Sequence, residues 1–197
     1  ALLCHIPGLK VVMPSNPRDV KGLLVASIRE DNPVVFIKHK RLLGLKGPCP
    51  EELFEVPLGR AAVARAGSDI TVVTYGRMVG ESLKAASILH DEGIAVEVID
   101  LRTLQPLDLD TVLDSVRRTN HCAVVHEAVR FGGLGAEIAS QIQELAFDHL
   151  DAPVARVGAP FSPVPFTPPL ESAYVPDAAR VGPVSYTHLR AHETVMN

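Results

Sequence analysis

From residue 70 to residue 157 the chain alternates short apolar runs with helical patterns, and this is the feature that most limits what it can fold into. The runs at 70–75, 95–101, 122–126 and 154–157 read as strands, and the segments at about 79–92, 109–119 and 134–150 read as helices. Strands separated by helices of ten to sixteen residues require right-handed crossovers and a largely parallel sheet, so the fold class is α/β. Val98 and Ile99 are consecutive apolar residues, and a strand covered by helices on both faces reads as continuous apolar sequence, which places them in the central parallel strand with at least one of them fully buried. That strand runs straight into Asp100-Leu101-Arg102-Thr103-Leu104-Gln105-Pro106-Leu107-Asp108. The carboxyl edge of an open sheet is where such folds present residues to ligands or partners. Asp100, Arg102 and Asp108 are expected to fix the geometry of this turn, with an ion-pair network or a partner contact as the other reading.

A shorter unit comes first. Residues 10–13 read as a strand, followed by a helix with Ser15 or Asn16 as N-cap, Pro17 near its first position and Asp19 in its first turn. Val20, Leu23, Leu24, Ser27 and Ile28 fall on one face of that helix. Pro33 ends it, and 34–38 reads as a buried strand. Periodicity then disappears, and Gly44, Gly47, Pro48, Pro50 and Pro57 punctuate a polar stretch. The expected organisation is the end of a truncated first domain at 1–38, a linker at 39–57, a complete second α/β domain at 58–181, and a tail at 182–197. The tail resembles translated adapter sequence, so it is expected to be non-native and to add nothing to the fold. His188 and His192 within it have the i, i+4 spacing of a helical metal pair, the weaker reading of the segment.

Composition narrows the function. A net charge of −4, no Trp and only 5% aromatic residues argue against nucleic acid as a partner. No run approaches the roughly 20 apolar residues needed to cross a bilayer, so no membrane association is expected. Cys4, Cys49 and Cys122 have neither disulfide-framework nor zinc-site spacing, and a reducing compartment fits them.

Local motifs are few. His126-Glu127 ends an expected strand, and Gly132-Gly133-Leu134-Gly135 opens the next helix. This is not the G-x-G-x-x-G pattern of a dinucleotide site; a tight turn with close helix–sheet packing is the reading, followed by a subunit contact. His5 reads as a packing or interface residue in preference to a general base. The remaining histidines and the cysteines show no nucleophile–base spacing.

Four stretches together carry a family resemblance: His5-Ile6-Pro7-Gly8-Leu9-Lys10-Val11-Val12-Met13-Pro14-Ser15-Asn16-Pro17, Lys21-Gly22-Leu23-Leu24, Asn32-Pro33-Val34-Val35-Phe36, and the run from Glu97 to Asp108. They resemble the beta subunit of the thiamine-diphosphate-dependent decarboxylating component of 2-oxoacid dehydrogenase complexes, of the pyruvate dehydrogenase type and transketolase-like. The resemblance implies a truncated pyrimidine-binding-type domain followed by a transketolase carboxyl-terminal-type domain. It implies oxidative decarboxylation of pyruvate or a related 2-oxoacid with acyl transfer to lipoyl groups. Thiamine diphosphate and magnesium would be shared with an alpha subunit, and a second beta subunit and a dihydrolipoyl acyltransferase core would be partners. The family's activating glutamate and its His-Ser-Gln segment lie upstream of the matched region, so no catalytic or cofactor-binding residue is expected in this chain, which alone should be inactive. The helix end at Ser27, Ile28, Glu30 and Asn32 matches a structural potassium site, with Glu30 where a shorter Asp is usual. Residence would be the cytoplasm of a bacterium, or the mitochondrial matrix in a eukaryote. Acetoin and branched-chain oxoacid dehydrogenase beta subunits, deoxyxylulose-phosphate synthase and transketolase are the alternatives, and a flavodoxin-like binding module is the non-enzymatic one.

Overall fold

The computed structural model describes residues 1–190. Its first elements are β1 (Lys10–Val12), α1 (Pro17–Arg29) and β2 (Val34–Phe36), with β1 and β2 parallel in register Val11↔Val35. Asn16 is the N-cap: its Oδ1 accepts from the Asp19 backbone N–H at 2.9 Å, and Pro17 fills the first turn, where a missing N–H costs nothing. That choice leaves the Ser15 hydroxyl free for a distant partner.

The buried face of α1 differs from the expected one. Asp19, Gly22, Leu23 and Ala26 are buried, whereas Val20, Leu24 and Ile28 are exposed. The reason lies in residues 47–56, which lie back along the helix. Lys21 Nζ donates to the Glu51 carbonyl at 2.8 Å, Val56 N donates to the Gly22 carbonyl at 3.1 Å, and Arg29 pairs with Glu55. A Cβ on Gly22 would stand 2.6 Å from Val56 Cγ2 and 2.7 Å from Phe54 Cε2, so only glycine admits this approach. A three-residue 3-10 turn, Lys40–Leu42, precedes the strap.

The second part contains β3 (Ala62–Arg65), β4 (Ile70–Thr74), α2 (Arg77–Asp91), β5 (Val96–Asp100), β6 (Thr103–Gln105), α3 (Leu109–Thr119), β7 (Cys122–Val129), α4 (Leu134–Leu145), β8 (Ala155–Ala159), α5 (Pro168–Tyr174) and α6 (Ala178–Arg190). Five strands form one sheet in the order β3-β5-β4-β7-β8, parallel except for β3 at the edge. Val98 and Ile99 are both fully buried, as their apolar run requires, but the central strand is β4, since β5 has antiparallel β3 outside it. Alternate residues feed opposite faces: Val72 and Val98 join α2 and α6, while Val73 and Ile99 join α3 and α4. Sheets covered on both sides bury nearly everything in their strands, which is why periodicity alone could not assign the faces. The expected helix at 134–150 stops at Leu145 and resumes as a 3-10 turn, Phe147–His149.

Strands β3 and β6 have no clear sequence signature and were not expected. The second matters most, because β6 leaves the main sheet and pairs antiparallel with β1 to give a separate sheet ordered β2-β1-β6. The two parts of the chain are therefore joined by a strand pair.

The tail requires a correction. Residues 182–190 continue α6, with Val181 and Ser185 buried and Val184, Tyr186 and Leu189 packed on the core beside α2. Val181, Val184, Ser185 and Leu189 supply helical spacing that the segment's unusual composition obscures. His192 lies outside the described residues, as does the rest of 191–197.

Candidate functional site

Polar chemistry gathers where the two parts meet, at the carboxyl end of β5. Leu101 N–H still follows the ladder to the Thr74 carbonyl at 2.9 Å, but Arg102 turns the chain with φ at 58°. Asp100 holds that turn: its Oδ1 accepts from the Arg102 backbone N–H at 3.0 Å, and its Oδ2 accepts from the Ser15 hydroxyl. The Arg102 guanidinium is spread over three oxygens, with Nε donating to the Arg60 carbonyl at 3.0 Å, Nη2 to the Ala61 carbonyl at 2.7 Å and Nη1 to Asp19 Oδ1 at 3.4 Å. Across the joint, Met13 N–H donates to the Arg102 carbonyl at 2.9 Å. Two carboxylates and one guanidinium are thus buried together. Burial pushes Asp100 up to about 6, opposed by Ser15 and the Arg102 N–H, with Asp19 adding to the rise. Asp108 goes the other way: burial would raise it, yet hydrogen bonds from Ala61 N–H and from Thr111 outweigh that and hold it below its ordinary value. The three residues named from sequence do fix the turn, and Arg102 and Asp19 make the ion pair. The sequence gives no sign of Asp19 and Ser15 as partners, more than 80 residues away.

A second cluster lies at the carboxyl end of β7. His126 is fully buried, and its ring stacks on Tyr75 with centroids 6.5 Å apart. A Cβ on Gly135 would meet His126 Cδ2 at 2.3 Å, and one on Gly133 would meet Cε1 at 2.9 Å. The glycine run is therefore close packing against an imidazole. Neither ring nitrogen makes a well-formed hydrogen bond among the described residues, and burial, with the charges of Arg156, the terminal amine and Arg130, pushes the pKa down to about 4 against a smaller upward pull from the Ala128 backbone. Glu127 points the other way, accepting from His39 Nε2 at 2.9 Å, with Arg77 Nη1 at 3.9 Å. His39 Nδ1 accepts from Arg41 N–H, which assigns the proton to Nε2.

His5 is exposed and lines a cleft of about 580 Å3 with Gln105, Gly133 and Glu137. At the end of α1, Ser27 Oγ donates to the Leu23 carbonyl at 2.6 Å, and Glu30 is held by Lys10 Nζ at 2.6 Å and Asn32 Nδ2 at 2.8 Å. Those hydrogen bonds hold the Glu30 carboxyl down at about 2, Lys10 first. Ile28 exposes its side chain, and the Glu30 carboxylate is already engaged, so this group of four offers backbone carbonyls in the main. Among the described residues no group of three or more His, Cys, Asp and Glu is placed to hold a metal, and no helix is long and apolar enough to cross a membrane.

Comparison with known proteins meets this geometry on both sides of the joint. Residues 59–181 match the transketolase carboxyl-terminal domain, and residues 1–46 match the transketolase pyrimidine binding domain. The acetoin:2,6-dichlorophenolindophenol oxidoreductase subunit beta of Cupriavidus necator is 49% identical over 91% of this chain and 53% of its own length. The pyruvate dehydrogenase E1 component subunit beta of Staphylococcus epidermidis is 47% identical over 89% and 54%, and that of Bacillus subtilis 46% identical over the same shares. The chain spans about half the length of the curated relatives it matches. A split-gene transketolase, solved as an inactive beta4 tetramer, superposes with a TM-score of 0.79 at 26% identity, covering 95% of this chain and 59% of that one. A transketolase from Pichia stipitis, at 12% identity and a TM-score of 0.62 over 95% of this chain and 26% of its own, shares the fold.

Proposed function

The chain belongs to the transketolase family, and from that premise we propose that it is the carboxyl-terminal part of the beta subunit of a 2-oxoacid dehydrogenase complex, acting on pyruvate. One observation carries the reading: where β1 pairs with β6, one strand lies in each of the two domain matches, and relatives at 46–49% identity match about nine-tenths of the chain. A flavodoxin-like module has no use for a β1-α1-β2 remnant bonded to its own carboxyl-edge turn.

The divisions 1–38, 39–57, 58–181 and 182–197 belong to this proposal. So does the share of the work. Thiamine diphosphate with magnesium would supply the carbon–carbon bond cleavage, at a site made with an alpha subunit and an upstream half of the beta subunit. No catalytic step is assigned to residues of this chain, whose part is to position the first domain against the second through Ser15, Asp19, Asp100 and Arg102. A second beta subunit and a dihydrolipoyl acyltransferase core complete the proposed assembly, in a bacterial cytoplasm or a mitochondrial matrix. Potassium at the carbonyls of Ser27, Ile28, Glu30 and Asn32 is proposed as a structural ion, supported by the helix carboxyl end converging there. Acetoin is the second reading of the substrate, favoured by the 49% identical relative.

The test is turnover by the intact beta subunit with its alpha partner. Pyruvate, acetoin and branched-chain 2-oxoacids are offered in turn with dichlorophenolindophenol as acceptor. Thiamine-diphosphate-dependent reduction with pyruvate, and none by the present chain alone, is the expected result. Turnover of acetoin alone would replace the substrate, and no turnover of any of them would reject the reading.

A further inference from the structure

Aromatic side chains are scarce here, yet four of the six phenylalanines are exposed. Three of those four lie on two neighbouring segments: Phe131 between β7 and α4, and Phe161 and Phe166 after β8, at 72%, 74% and 99% exposure. Phe131 and Phe161 pack on each other with ring centroids 4.8 Å apart and planes tilted by 50°. The backbone around them is fixed. Arg130 N–H donates to the Ala159 carbonyl at 3.0 Å, and the Tyr174 hydroxyl donates to the Ser162 carbonyl at 3.0 Å. Exposed phenyl rings held in place by their own backbone are a preformed surface, and contiguous exposed apolar area of this kind marks an interaction site.

Charge says what the surface fits. Phe131 and Phe161 line a cleft of about 440 Å3 whose walls include Arg130, Arg156 and Pro160. Arg156 Nη1 reaches the Arg130 carbonyl at 3.4 Å, and neither guanidinium is paired with a carboxylate among the described residues. Their field reaches inward as far as His126. Aromatic rings with arginine are the make-up of interface hot spots, and the guanidinium fork selects carboxylates. A free small anion would have no use for the rings, and a nucleic acid would need a wider basic footprint.

We infer that this cleft docks an acidic segment of a partner protein, which seats one aromatic or large aliphatic side chain against Phe131 and Phe161 while its carboxylates pair with Arg130 and Arg156. The inference rests on the reading of the chain as one subunit of an assembly. Its test needs no enzyme activity, so the two fail separately.

The probe is a fluorescent peptide of sequence Asp-Glu-Asp-Phe-Glu-Asp, titrated by anisotropy against the whole chain at low salt. Two control peptides carry Ala for Phe, or Lys for every acid. Saturable binding is expected, weakened about tenfold or more by Phe161→Ser and by Arg156→Glu, and by either change in the peptide. Thermal midpoints show that the variants fold; where Arg156→Glu does not, Arg130→Gln replaces it. Binding should also raise the His126 pKa followed by NMR, since added carboxylates offset the two arginine charges. The proposal is overturned by absence of saturable binding, or by binding that ignores Phe161→Ser, which would mean a plain anion site. It is equally overturned if sedimentation shows the wild-type chain dimerising through this face and Phe161→Ser leaving a monomer that the peptide never bound, since a second copy is then the occupant.

Discussion

Asp100 is buried near Asp19, and the Arg102 guanidinium pairs with Asp19 while from Arg102 Asp100 takes only the backbone N–H, an arrangement that leaves the group better protonated when folded than when unfolded. Its folded pKa of about 6 lies above the ordinary 3.8, so between those values the folded chain keeps a proton that the unfolded chain has lost. Stability from this group is present below pH 4, falls as pH rises toward 6, and is level above. Asp100→Asn cannot titrate and keeps the hydrogen-bonding shape. Denaturant unfolding of both proteins at pH 4.5 and pH 7 should show the variant gaining on the wild type as pH rises, by at most about 3 kcal/mol. A gap that does not change with pH would mean Asp100 is ionised throughout. At the other cluster, Gly135→Ala puts a methyl group 2.3 Å from the His126 ring. It should cost roughly 1–3 kcal/mol. In a His126→Ala background most of that cost should disappear, and two additive substitutions would show that ring and glycine do not meet.

At the scale of elements, α6 offers the sharpest test, because sequence and structure disagree there. Residues 182–190 lay Val184, Tyr186 and Leu189 on the core beside α2. Ending the chain at Val181 should therefore lower the thermal midpoint by several degrees, about 2–4 °C for each kcal/mol lost at this size. A midpoint within a degree of the full chain would restore the expectation that the tail is idle. Apart from β6, the strands and helices from β4 to β8 were legible because apolar runs of fixed length announce them, and Ser15 or Asn16 was readable as the cap of α1. What was not legible depended on distant groups. The face α1 buries is decided by Phe54 and Val56 arriving at Gly22, and β6 exists because β1 offers it a free edge. Of the polar cluster, Asp100, Arg102 and Asp108 stood out by their place after a strand, while Ser15, Asp19 and His39 looked like ordinary cap and linker residues until the fold brought their partners to them.

For the molecule as a whole, the joint is the argument. Strand β1 is bonded to β2 on one side and to β6 on the other, and the buried set of Ser15, Asp19, Asp100 and Arg102 closes over it. Removing one partner from such a buried pair costs roughly 3–5 kcal/mol because the other charge is left without compensation, so the two parts are expected to hold together as one unit. Family matches lie on both sides of the joint, and relatives named as beta subunits match across it, which is the support for the proposed place of that unit in a larger enzyme. The most direct test puts it there. Residues 1–181 replace the matched half of the Cupriavidus necator beta subunit, and the chimera is expressed with that enzyme's other subunit. The account predicts a folded assembly that reduces dichlorophenolindophenol with acetoin only when thiamine diphosphate is added. A chimera that folds and yet neither assembles nor turns over would contradict it.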